Sequence, residues 1–108
     1  MKIEIDQSGK IEDTAKPTIL AFCNHKTFSI KIAAKTKRQI FEIFRQRGKT
    51  RLFIYRTFGV LIFLLIKNYL STISTITIDT EYPGHEKLIK EIVLELINNK
   101  ILMNNIVK

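Results

Sequence analysis

The chain has too little of several things to support the commoner small-protein designs. A single cysteine, Cys23, leaves no partner for an internal disulfide. Two prolines and four glycines in 108 residues argue against a linker-like or low-complexity chain. No Gly-rich phosphate loop, no Cys and His pattern with metal spacing and no nucleophile elbow occurs, which argues against P-loop nucleotide chemistry, zinc chemistry and a classical catalytic triad. The chain does not open with the charged, apolar and small-residue succession of a secretory signal, so the cytoplasm is the expected location. The charge-free run Thr57–Ile66 is ten residues long, against about 20 needed to span a bilayer. No membrane span is expected. Cys23 closes the apolar run Ile19-Leu20-Ala21-Phe22-Cys23, so it reads as a buried, inert thiol.

What is present is apolar residue and positive charge. Hydrophobic residues make up 45% of the chain, and its length suits one core, so a single domain over residues 1–108 is expected. The formal charge is +8, and it is concentrated. Between Lys35 and Arg56 stand eight cationic residues against one anion, Glu42, while the rest of the chain has ten Lys and Arg against nine Asp and Glu. A concentrated basic stretch is the expected footprint for a polyanion.

Lys2 to Asp6 alternate as a half-buried strand, closed by the turn residues Gln7 to Lys10. Thr18 to Asn24 reads as a second strand, and Asn24-His25-Lys26 as a hairpin into a third, with Phe28, Ile30 and Ile32 on one face. From about Ala34, Ile40, Phe41 and Phe44 recur at helical spacing, up to Gly48. Arg51 to Tyr55 is β-prone and predicts a fourth strand, and Phe58 to Leu70 a largely buried helix. Thr75 to Asp79 alternate as a fifth strand, and Leu88, Ile89, Ile92, Val93 and Leu96 form the stripe of a last helix, which residues 98–108 either extend or leave for a dimer contact. The expected fold is α/β: a mixed five-stranded sheet with three helices in the order βββαβαβα.

Two sets of residues could carry function. Asp6 and Asp79 each close an alternating strand, with Glu81 in the loop after Asp79. If the two strands lie side by side, these carboxylates could hold Mg²⁺ or Mn²⁺ for phosphodiester hydrolysis, since such ions take oxygen ligands. The same positions also suit plain turn-forming acids. His85, in the same loop, could orient a water or bind a phosphate. The second set is basic: Lys35, Lys37, Arg38 and Arg45 on the exposed side of a helix, then Arg47, Lys49 and Arg51 in the connection after it. Both parts could follow a phosphate backbone of DNA or RNA, and Phe53 and Tyr55 either stack on bases or belong to the core.

The strand and helix order, together with Ile5-Asp6-Gln7-Ser8-Gly9, resembles the ribonuclease H-like superfamily. The opening is similar to the Asp-Glu-Ser-Gly start of one of its branches, with Gln7 in place of Glu. The resemblance implies Asp6 as first metal ligand, with Asp79 and Glu81 standing in for the later acids. The expected strand Arg51 to Tyr55 holds no acid where many members place one. The expectation is a nucleic-acid-binding protein that acts as a Mg- or Mn-dependent nuclease, or a non-catalytic binding module. A third alternative is an interaction protein associated with a membrane through Phe58 to Ile66.

Overall fold

The computed structural model describes residues 1–78 and 81–106, with side chains as far as Ile101. Three antiparallel strands come first, β1 (Lys2–Ser8), β2 (Thr18–Asn24) and β3 (Lys26–Ile32). A helical hairpin follows, α1 (Ala34–Gln46) and α2 (Thr50–Ile66), then a 3-10 turn at Lys67–Tyr69, the short strand β4 (Thr75–Ile78) and the long helix α3 (Glu86–Ile106). The sheet order is β3-β2-β1-β4, with β4 parallel to β1 and Ile5 beside Ile78.

Alternation decides the two faces of the sheet. Ile3 and Ile5 of β1, Leu20 and Phe22 of β2 and Ile32 of β3 are buried on one side. Lys2, Glu4, Asp6, Ser29, Lys31, Thr75 and Thr77 are exposed on the other. The helices therefore cover one face only. Cys23 falls in the outward register beside buried Phe22 and is exposed, so the buried thiol expected from its apolar run is corrected. An apolar run does not bury every member when the strand has one open face.

Helix α2 is the centre of the core. Phe53, Thr57, Phe58, Leu61, Ile62, Leu65 and Ile66 are all buried in it. Gly59 lets α3 approach closely: a Cβ there would lie 2.7 Å from Cγ2 of Ile92. By length and composition alone, Thr50–Tyr69 would suffice to cross a membrane, and 44% of its apolar window is buried inside the fold.

Among the described residues the sheet has four strands, not five, and the element order is β-β-β-α-α-β-α. The five-stranded ribonuclease H-like arrangement is thus corrected. The strand expected at Arg51 to Tyr55 is the first part of α2. Its β-prone composition is overridden by packing: Phe53, Thr57, Leu61 and Leu65 recur every four residues, and the ring of Phe53 meets those of Phe41 and Phe44 on α1 at 5.2 and 6.1 Å. A helix puts on that same face the buried neighbours Phe58, Ile62 and Ile66, which the alternation of a strand would send to the opposite side. Strand β1 also runs further than expected. Asp6, Gln7 and Ser8 pair with Ala21, Leu20 and Ile19, so Asp6 lies within the strand and not at its end. At the other extreme of the chain, α3 continues through the stretch from Asn98 to Ile106.

Candidate nucleic-acid interface

The helical hairpin carries most of the net charge, and where it points follows from ring contacts. Tyr82 anchors one end of the sheet: its hydroxyl accepts hydrogen bonds from Nε2 of Gln7 at 3.0 Å and from the backbone N–H of Ile11 at 3.1 Å. The rings of Tyr55 and Phe58 pack on Tyr82 at 6.1 and 5.1 Å. At the opposite end, Tyr69 packs on Phe22 and Phe28 at 6.0 and 4.9 Å. Tyr55 to Tyr69 rises about 21 Å at 1.5 Å per residue, close to the roughly 23 Å of a seven-residue strand. The residues before Tyr55, with the α1–α2 connection, therefore project past the carboxyl end of β1.

That projecting turn is Arg47-Gly48-Lys49, followed by Thr50 and Arg51 in the first turn of α2. All five are exposed. Gly48 has φ +67°, so the chain reverses through the left-handed region that ends α1. The start of α2 is poorly neutralised. Lys49 at the N-cap supplies no side-chain hydrogen bond, and the first turn holds no acid. Cations at the positive end of a helix macrodipole are disfavoured, and the same spot favours an anion. Helix α1 repeats the arrangement, with Ala33 as an N-cap that offers no side-chain bond and Lys35 in the first turn.

The remaining basic residues divide. Lys35 and Arg56 are exposed. Arg38 is also exposed, but its Nη1 donates to the carbonyl of Thr14 at 2.8 Å. Arg45 pairs with Glu42, three residues earlier on α1. Lys37 is the correction to the expected basic face. It is fully buried, and its Nζ donates to the carbonyls of Lys10 at 3.0 Å and Asp13 at 2.6 Å and to Oγ1 of Thr18 at 3.0 Å. Burial pulls its pKa below the ordinary lysine value, against the attraction of Asp13 and Glu12. Lys37 closes the loop between β1 and β2 and is withdrawn from any partner.

The acids stand apart from this tip. Asp6 faces the open side of the sheet, while Glu81 is half-buried and lines a groove under α3 with Glu86. Asp79 lies outside the described residues. Among the described residues no three His, Cys, Asp or Glu side chains group as a metal site.

One feature of the tip was missed by treating its residues separately. The imidazole of His85 stacks on the ring of Tyr55 at 4.1 Å with an interplanar angle of 20°. Tyr55 lies one helical turn after Arg51, so an exposed imidazole backed by a phenol adjoins the cationic turn. The Arg51-to-Tyr55 spacing would signal this once the segment is read as helix, but the approach of His85 depends on the packing of Tyr82. Phe53, the other aromatic of that run, is core.

Compared with protein-family models, curated proteins and solved structures, the chain matches none.

Proposed function

We propose that the protein binds nucleic acid without cleaving it, using the projecting α1–α2 turn. The observation that carries this reading is the placement of Arg47, Lys49 and Arg51 within five residues at a start of α2 that has neither an acid nor a side-chain cap. Folding brings these like charges together at the positive end of a helix. A polyanion threaded past the turn offsets that repulsion, with Lys35 and Arg56 as flanking phosphate contacts. Contacts of this kind supply affinity and leave base sequence unread. The Tyr55–His85 pair offers a flat face beside Arg51, which suits an unstacked base and so favours single strands over duplex.

The test is fluorescence-anisotropy titration of labelled single-stranded and duplex RNA and DNA over a range of salt, with Arg47, Lys49 and Arg51 changed together to Gln. The wild type is expected to bind with an affinity that falls steeply with salt. The triple variant should lose on the order of tenfold or more in affinity and flatten the log–log salt slope by about 2 on a single strand. Unchanged affinity in a folded triple variant would remove the turn from the interface. Metal-dependent cleavage of the same oligonucleotides in Mn²⁺, abolished by Asp6→Asn, would replace the binding role with a catalytic one.

A further inference from the structure

Helices α1, α2 and α3 leave a cavity of about 520 Å³ between themselves and β3. Its walls include Ile40 and Phe44 of α1, Ile92 and Leu96 of α3, and a stripe of α2. That stripe is Arg56, Val60 and Leu64, which recur at four-residue steps and so share one face of the helix. It is the outward side of the core helix: all three residues are exposed, Val60 and Leu64 despite being apolar. From Arg56 to Leu64 the helix rises about 12 Å. One end of the stripe is therefore cationic and the rest apolar.

The polar groups of the cavity define the molecule it takes. Thr57, next to Arg56, is only 6% exposed and lines the cavity. Among the described residues its hydroxyl has no hydrogen-bond partner, yet it is not sealed from solvent, so it opens into the cavity. A hydroxyl in so buried a place calls for a partner. The charges give the sign of that partner. Arg56 and Lys31 line the cavity against one acid, Glu95, and neither cation is ion-paired with it. One positive charge is left over, which suits a single carboxylate, and a guanidinium presents its N–H groups in the fork that a carboxylate matches.

We propose that this cavity binds a medium-chain fatty acid. The carboxylate accepts hydrogen bonds from the Arg56 guanidinium and the Thr57 hydroxyl, and the alkyl chain lies along Val60 and Leu64 between the apolar walls of α1 and α3. The run of about 12 Å is close to the extended length of decanoate. The volume is that of a small-molecule site, within the roughly 300–1,000 Å³ usual for one. A helix from a protein partner, about 10 Å across and rising about 5.4 Å per turn, fills on the order of 400 Å³ with each turn. The cavity would seat little more than one such turn.

The experiment is isothermal titration calorimetry of the full chain, without nucleic acid, because a phosphate backbone would draw on the same Arg56. Its outcome is therefore independent of the α1–α2 turn. Decanoate, decanol and butyrate are the probes, each below its aggregation limit. Decanoate is expected to bind at one saturable site. Decanol lacks the charge and butyrate the chain, and each should bind at least about tenfold more weakly. Thr57→Val keeps the shape of the side chain and removes the hydroxyl, so it should weaken decanoate about tenfold. Val60→Trp fills the cavity from a partly exposed position and should abolish binding, with Leu64→Trp in its place if circular dichroism shows the first variant unfolded. A wild type that takes up no decanoate overturns the proposal. So does decanol binding as tightly as decanoate, or wild-type affinity in Thr57→Val or in a folded Trp variant, because the ligand is then held elsewhere or by other groups.

Discussion

Lys37 and Lys49 lie twelve residues apart in one basic segment, yet folding gives them opposite employment. Lys37 is fully buried with three oxygen acceptors around its ammonium group. Lys49 is exposed at the start of a helix whose dipole repels it. The first holds the loop between β1 and β2 on the domain, and the second faces outward where a phosphate is welcome. Positive charge in a sequence is therefore not one quantity. A cation's worth to a partner depends on whether the chain has already used it.

The difference can be broken from the inside first. Replacing Lys37 with Met keeps the side chain unbranched, one atom shorter, and removes the donor, leaving the Lys10 and Asp13 carbonyls and the Thr18 hydroxyl without this hydrogen bond. A loss of about 3 kcal/mol in unfolding free energy is expected. Urea denaturation checks it, and binding measured on the folded fraction should be unchanged. A stable variant with weakened binding would make Lys37 a contact residue after all.

Tyr82 anchors the same loop through Ile11 and gives a smaller, pH-dependent effect. Burial raises the pKa of its phenol above the ordinary 10.0, against the hydrogen bonds donated by Gln7 and Ile11. Because the folded pKa is the higher one, the folded chain holds its proton after the unfolded chain has lost it. The stabilisation is complete below pH 10 and falls as pH rises from there through the raised value. Tyr82→Phe should remove this contribution to the alkaline decline and, at neutral pH, lower stability by about 1–2 kcal/mol, because the N–H groups of Gln7 and Ile11 lose their acceptor. Thermal melts of both proteins between pH 8 and pH 11 decide it; parallel decline in the two would place the titration elsewhere.

The smallest effect is expected at Arg45, which lies on the same helix as Lys37 but pairs in the open with Glu42. Arg45→Gln should leave the melting temperature within experimental error, as exposed pairs contribute little. It should also reduce nucleic-acid affinity less than any single change among Arg47, Lys49 and Arg51. A larger loss at Arg45 would extend the interface along α1, away from the turn.

Strands β1, β3 and β4 were legible because period-two alternation survives whenever one face of a sheet is covered and the other is not, and β2 because its short apolar run leads into the Asn24-His25-Lys26 turn. The segment Arg51 to Tyr55 was misread for the opposite reason. Five β-prone residues carry no period of their own, and what makes them helical is the requirement that Phe53 meet Phe41 and Phe44. Asp6 was expected at a strand end, yet β1 runs on through Ser8 because Gln7 and Ser8 pair with Leu20 and Ile19. Turn-forming composition yields where a neighbouring strand offers hydrogen bonds.

By itself the sequence determined the concentration of positive charge between Lys35 and Arg56, the alternation of β1, β3 and β4 and the apolar stripes of α1 and α3. These are local periods and sums, readable without knowing what packs on what. Only the tertiary structure decided which cations remain available, that Cys23 faces out, that Tyr55 receives His85 and that the sheet ends at β4 beside an open groove. Each of those depends on a contact between residues distant in the chain. Lys37 and Arg51 have the same charge in the sequence, and burial beneath the loop that holds Lys10, 27 residues earlier than Lys37, separates their roles.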